Sequence, residues 1–251
     1  MFELLPQEVF GFFLIFTRLG AMTMMLPALG ETSIPARIRL FLSLSISLII
    51  YGLLRGSLPV MPVSPVALGV LLICEVLIGV MIGLSIRLLV SALHIAGTVI
   101  AMQSGLAMAQ AFDPAQGGQS SLVATFMTLV GVTLVFVTNL HHLMISAMYN
   151  SYSLFPIGGD IFIGGFAELI ADTVSNSFKL GIQMSAPIIV YALVFNAGLG
   201  IIARLVPQLQ VFFVAIPINV TLGFVIMAIV LSAAMQWYLE HIEASLGAFL
   251  N

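Results

Sequence analysis

The stretch from Leu88 to Phe112 contains no Asp, Glu, Lys or Arg, and further apolar segments flank it on both sides. A helix needs about 20 mainly apolar residues to cross the hydrocarbon core of a bilayer. Over the whole chain, 61% of the residues are hydrophobic and 7% are charged, whereas soluble domains carry roughly 25% charged residues. The sequence therefore predicts an all-α integral membrane protein, with residues 1–251 as one membrane domain and no separate soluble domain.

The composition argues against several classes of protein. The net charge is −3 and there is no basic run, so nucleic acid is not expected as a partner. Cys74 is the single cysteine, which excludes a disulfide framework and a clustered thiolate metal site. There is no glycine-rich phosphate loop ending in Lys-Ser or Lys-Thr, no HExxH and no GxSxG. The sequence predicts no enzyme, no catalytic residue, no cofactor and no metal.

Apolar segments of membrane-crossing character predict five to seven crossings. We expect helices near residues 9–30, 38–54, 66–92, 94–112, 122–148, 180–203 and 211–238. The second is short, and the third and fourth together admit a bent hairpin. Between residues 166 and 178, apolar side chains follow the i, i+3, i+4 rule, which predicts an amphipathic helix on the membrane or against a partner.

Small residues recur at every fourth position in the charge-free stretch, at Gly97, Ala101, Gly105 and Ala109. That spacing places them on one helix face, where a second helix can approach closely; ordinary burial is the alternative, since buried helices often carry small residues. Asp113-Pro114 predicts the end of this helix, because the residue before proline avoids the α region. Gly117-Gly118 then predicts either a flexible polar loop or a simple turn.

Arg18 and Glu75 are charged residues within apolar segments, and each needs polar surroundings. Arg18 faces a partner or water, or its side chain reaches the interface from a tilted helix. Glu75 is about three turns from Arg87, too far for a pair on one helix, so it is either a proton-relay carboxylate or a helix-packing contact. Gly79 and Gly83 follow Glu75 in GxxxG spacing, which predicts close helix packing.

The stretch from residue 205 to 223 predicts a broken helix. Pro207 and Pro217 bracket the pair Phe212-Phe213, and Gln208 is polar within this apolar region. Broken backbone at membrane depth is tolerated only where protein or a water-filled cavity surrounds it.

Taken together, these landmarks closely resemble the FliR family, the flagellar type III protein-export gate component, whose injectisome relatives are the SctT proteins. The resemblance runs almost end to end. It rests on the order and spacing of Arg18, Pro27, Pro35 and Arg37, the block from Glu75 to Gly83, Ala96-Gly97 through Gly105 to Phe112-Asp113-Pro114, His141-His142, Gly200, Arg204, Pro207-Gln208, Phe212, Pro217 and Gly223.

The resemblance implies a role in protein export in the bacterial inner membrane, within the flagellar basal body. One copy of this chain would assemble with several FliP and FliQ subunits into a helical, closable pore, with FlhB bound to it. Unfolded flagellar subunits would pass through the pore. The fold implied is a set of helical hairpins with broken helices and a pore-facing loop, in contact with partners and membrane lipid.

The resemblance also implies roles for particular residues. A loop that helps close the pore would comprise Met108, Phe112, Asp113, Pro114, Gly117 and Gly118. The small-residue strip would pack against a FliP or FliQ helix, and Arg18, Glu75, Arg204 and Gln208 would make buried contacts between subunits or hairpins. The alternatives are a small secondary transporter or channel that acts alone and a membrane assembly factor without a pore; against the transporter, no convincing internal repeat is present.

Overall fold

The computed structural model describes residues 4–31, 34–106, 121–159, 163–206 and 211–247, and within these ranges every regular element is helical. The helices are α1 (Leu4–Met25), α2 (Ala36–Leu54), α3 (Pro65–Gln103), α4 (Leu122–Val137), α5 (Leu140–Leu154), α6 (Ile163–Leu205) and α7 (Val211–Gly247), with a 3₁₀ turn at Arg55–Ser57. In these ranges, five helices are long and apolar enough to cross a membrane, and the bent pair α4–α5 makes a sixth candidate. The prediction of an all-α membrane protein is confirmed.

The two spans predicted at 66–92 and 94–112 are wrong as separate elements, because α3 is a single helix of 39 residues. It ends at Gln103 rather than at Asp113-Pro114. Gly105 follows with φ +76°, the left-handed conformation in which many helices terminate and which glycine adopts without steric cost. Gly105 is therefore not on the helical face that carries Gly97 and Ala101.

The helix predicted at 122–148 is also wrong, because the chain bends between α4, which ends at Val137, and α5, which begins at Leu140. Asn139 lies at the bend with φ +61°, and asparagine is one of the few residues other than glycine that visits this conformation. The amide of Thr138 donates to the Leu134 carbonyl (2.8 Å) and the amide of His142 donates to the Asn139 carbonyl (3.0 Å), so both helix ends keep hydrogen bonds at the bend.

Three further helix boundaries differ from the sequence prediction. α1 ends at Met25 instead of residue 30, since Pro27 and Ala28, at φ +64°, interrupt it. The predicted amphipathic helix and the span at 180–203 form one 43-residue helix, α6, which contains Pro187. α7 runs unbroken from Val211 through Pro217, so the predicted break is wrong at Pro217. In membrane helices, neighbouring groups compensate the hydrogen bond that a proline removes.

Contacts divide the chain into two compact units, drawn from residues 1–89, 139–174 and 243–251 and from residues 90–138 and 175–242. In the first unit, the side chains of Leu14, Leu19, Met22, Ile82 and Met148 are at most 1% exposed. In the second, Leu93, Met127, Tyr238 and Ile242 are equally buried. One domain over residues 1–251 stays a prediction.

Glycines set the helix spacing within the second unit. A Cβ atom on Gly97 would overlap the backbone of Ala124 in α4, and one on Gly131 would overlap the side chain of Leu93. A Cβ on Gly181 in α6 would lie 2.9 Å from the carbonyl oxygen of Ala92. α3, α4 and α6 thus approach nearly backbone to backbone. This increases the dispersion contacts between the helices, which matter because helices in lipid gain no hydrophobic free energy by associating.

We expect Gly97→Ala to destabilise the protein by about 1–3 kcal/mol, because the added methyl group has no space against α4. Gly69→Ala, in the same helix, is the matched control. A Cβ on Gly69 meets nothing within 4 Å, so this variant should be neutral or gain up to about 1 kcal/mol of helix propensity. The measurement is the thermal unfolding midpoint in detergent; equal midpoints for the two variants would contradict the packing argument.

Candidate functional site

Arg18 lies within α1 and is fully buried, with a relative exposure of 0%. Its guanidinium group binds the carboxylate of Glu75 in α3 with two hydrogen bonds. The Arg18 Nε donates to Glu75 Oε2 at 2.6 Å and Nη2 donates to Oε1 at 3.0 Å. Two parallel hydrogen bonds fit the planar shapes of both groups, and each is stronger than a hydrogen bond between neutral partners because the groups are charged.

α5 supplies the remaining contacts of the same guanidinium group. Arg18 Nη1 donates to the carbonyl oxygen of Ser151 at 2.9 Å, and Arg18 Cζ lies 4.2 Å from the centroid of the Tyr152 ring. The Tyr152 hydroxyl in turn donates to the carbonyl of Ile15 in α1 at 3.3 Å. We call Arg18, Glu75, Ser151 and Tyr152 the Arg18 cluster; it joins α1, α3 and α5 within the first unit.

Two glycines explain how the Glu75 carboxylate reaches Arg18. Gly79 lies one turn after Glu75 on α3, and a Cβ atom there would overlap the carbonyl oxygen of Arg18. A Cβ on Gly83, one further turn along, would lie 2.7 Å from the Cβ of Met25. The GxxxG pair thus lets the backbones of α1 and α3 approach closely, and the carboxylate is held against the guanidinium group.

The electrostatics of the cluster favour a packing role over proton transfer. An isolated buried charge costs several kcal/mol, and a hydrogen-bonded counter-charge offsets part of that cost. Both oxygens of Glu75 accept hydrogen bonds from Arg18, so the carboxylate forms a contact between α1 and α3. In the described part of the chain, no group of three or more His, Cys, Asp or Glu residues is arranged to hold a metal ion.

The other residues predicted for the site have their own positions in the described helices or fall outside the description. Arg87 is exposed on α3, and Arg204 is exposed in the last turn of α6. Gly97 and Ala101 are buried, and Gly97 lies against α4 of this same chain rather than a partner's helix. Phe212 and Phe213 belong to α7. Outside the described residues lie Met108, Ala109, Phe112, Asp113, Pro114, Gly117, Gly118, Pro207 and Gln208.

Ser151 and Tyr152 were missed by sequence reasoning. Glu75 is the one carboxylate in α3 and Arg18 the one charge in α1 beyond Glu8, and such isolated opposite charges are a signal for pairing. A backbone carbonyl and an aromatic ring carry no comparable signal, because any helix in this chain offers both. The bend at Asn139, which precedes α5, was likewise not predicted.

Comparison with known proteins decides the family. The model of the family described as "Bacterial export proteins, family 1" matches residues 9–245. The flagellar biosynthetic protein FliR of Caulobacter vibrioides is 44% identical over 231 residues, which cover 92% of each chain. The chain belongs to the FliR family of bacterial export proteins.

Other relatives agree with this membership. FliR of Bacillus subtilis is 30% identical over 228 residues, covering 88% of this chain and 86% of its own. The Yop proteins translocation protein T of Yersinia pestis is 25% identical over 232 residues, covering 90% and 88%. The predicted FliR resemblance is therefore confirmed. Members of the FliR family are components of an export apparatus, so the family also supports the prediction that this chain is not an enzyme.

We expect Glu75→Gln to destabilise the protein by about 3–5 kcal/mol, because it leaves the buried Arg18 charge without a counter-charge. Replacing both partners, as Arg18→Met with Glu75→Leu, should recover most of this loss. Arg87→Gln, an exposed charge on the same helix, is the control and should stay within about 0.5 kcal/mol of the parent. Unfolding midpoints in detergent measure all three; a Glu75→Gln midpoint equal to that of Arg87→Gln would refute the role of the pair.

Proposed function

We propose that this chain is a core subunit of the flagellar type III export gate. It assembles with FliP and FliQ in the bacterial inner membrane, within the basal body, and together they form a closable pore for unfolded flagellar subunits. FlhB binds the same assembly. The observation that carries the proposal is the match to the bacterial export family over residues 9–245, with 92% coverage of a FliR chain.

The surface of α6 supports assembly with other subunits. In its most apolar window only 11% of the residues are buried within this chain. Before its charge-free stretch at 180–203, α6 exposes the charged side chains of Glu168, Asp172 and Lys179 together with the apolar side chains of Val174 and Phe178. A charge facing hydrocarbon costs about 3 kcal/mol or more, and an exposed phenylalanine gains little in water. A protein partner satisfies both kinds of side chain.

The lengths of the helices support the same conclusion. At 1.5 Å per residue, α3 is about 58 Å long and α6 about 64 Å, against about 30 Å for the hydrocarbon core. A tilt of ordinary size does not absorb that excess. Each helix therefore has a large part outside the hydrocarbon, where subunit contacts are needed to cover its apolar side chains.

Native mass spectrometry tests the assembly. The tagged chain is co-expressed with its chromosomal neighbours and extracted gently. We expect one copy of this chain bound to several copies of two other small membrane proteins. A stable monomer or homodimer that remains soluble in detergent without them would overturn the proposal and favour a transporter that acts alone. A matched preparation of Phe178→Glu, in the two-faced part of α6, should lose partner subunits while Glu168→Gln retains them.

The residues from Met108 to Gly118 form the closing element of the pore in this proposal. Apolar, deformable side chains such as Met108 and Phe112 suit closure by dewetting, because a narrow apolar constriction excludes hydrated ions. Gly117-Gly118 supply the backbone freedom that lets the element move aside for a passing chain. Ion exclusion and export are thus assigned to the same short segment.

We expect Phe112→Ala, and deletion of Gly117-Gly118, to raise ion leakage or change export. The first removes an apolar side chain that helps to close the pore, and the second removes the backbone freedom with which the closing element moves aside. Phe41→Ala is the control, because Phe41 is 72% exposed on α2. The measurements are conductance of the assembled complex in a planar bilayer and secretion of a flagellar subunit from cells. Normal conductance together with normal secretion in both variants would remove this role.

A further inference from the structure

The end of α3 carries a carbonyl group that the helix itself cannot satisfy. The last four carbonyls of any helix lack intrahelical donors, and in apolar surroundings each unsatisfied group costs several kcal/mol. Gln103, the last residue of α3, has its carbonyl oxygen 3.3 Å from Nδ2 of Asn219, a residue of α7. A side-chain amide on another helix thus supplies a missing donor.

The orientation of the Asn219 amide is fixed by its second partner. The hydroxyl of Tyr191, in α6, donates to Asn219 Oδ1 at 3.0 Å. A backbone carbonyl can only accept, so the NH₂ group must face Gln103 and the amide oxygen must face the tyrosine. Tyr191, Asn219 and Gln103 therefore form an ordered chain of two hydrogen bonds across three helices of the second unit.

The neighbouring glycines show that α7 contacts the backbone here directly. Gly223 lies one turn after Asn219, and a Cβ there would lie 2.5 Å from the Cβ of Ser104. A Cβ on Gly105, at φ +76°, would lie 3.3 Å from Asn219 Nδ2. Residues 103–105 are thus held by one face of α7, with a hydrogen bond at Asn219 and a close approach at Gly223.

We propose that Asn219, oriented by Tyr191, is a positioning residue that fixes the point at which the chain leaves α3. Without its donor, the Gln103 carbonyl would seek another partner, and the last turn of α3 would open. The proposed closing element, Met108 to Gly118, follows this point in the sequence, so an effect of Asn219 on ion leakage rests on the proposed function. The local effect on the helix end is independent of any pore.

Hydrogen exchange on the full chain in its purified complex tests the local effect. Asn219→Leu removes both hydrogen bonds at nearly constant volume, and Tyr191→Phe removes only the orienting one. We expect amide exchange at Ser104 and Gly105 to rise about tenfold in Asn219→Leu, the change that loss of one net hydrogen bond produces. Tyr191→Phe should give a smaller rise. Thr221→Ala is the control, because the Thr221 hydroxyl is exposed and binds the Pro217 carbonyl of its own helix.

The outcomes separate positioning from general stability. A rise confined to the end of α3, with the unfolding midpoint kept in Tyr191→Phe, supports the proposal. Exchange unchanged in both variants, or raised equally along all of α3 and α7, would overturn it. Conductance of the same complexes then tests the link to the ion barrier. The link is refuted if Phe112→Ala leaks ions but Asn219→Leu, despite its faster exchange, leaks no more than the control Thr221→Ala. If Phe112→Ala itself does not leak, the proposed function has failed instead.

Discussion

The free-energy cost of burying the Arg18 charge is the constraint on which the first unit depends. A guanidinium group fully removed from solvent requires a counter-charge and further acceptors, and in this chain they come from α3 and α5. The glycines at 79 and 83 follow from the same requirement, because a side chain at either position would separate α3 from α1. In the first unit, the ion pair, its hydrogen bonds and the close spacing of the α1 and α3 backbones therefore depend on one another.

In the second unit, neutral groups bring the helices together and satisfy a partly buried polar group. Its helices approach through Gly97, Gly131, Gly181 and Gly223, and a neutral amide, rather than an ion pair, satisfies the partly buried carbonyl at the end of α3. A neutral contact carries a smaller desolvation cost than a charged one, and it can be broken at a smaller cost. The contact that holds the end of α3 in the second unit therefore costs less to break than the Arg18–Glu75 pair in the first.

The sequence predicted the fold class and the helical segments, but several of their boundaries were wrong. Hydropathy locates apolar stretches, yet it does not say where a continuous helix passes through them, as α3 and α6 do. Pro187 and Pro217 indicate breaks in a soluble protein, but the surroundings of membrane helices tolerate them. Conversely, no proline or glycine near Asn139 indicates the bend between α4 and α5. For the site, the isolated charges of Arg18 and Glu75 identified groups that need partners, while the pairing itself depends on tertiary contacts across 57 residues.

The 57 residues between Arg18 and Glu75 delay their pairing while the protein is being synthesised. Ribosomes add about 5–20 residues per second, so Glu75 is synthesised roughly 3–11 s after Arg18 and Ser151, 133 residues on, later still. During that interval α1 emerges as an apolar segment with an unpaired cation. Its stable insertion must therefore wait for α3, or depend on the insertion machinery and on lipid headgroups to solvate the guanidinium group. The ion pair therefore matters for how the first helices enter the membrane, as well as for the stability of the finished protein.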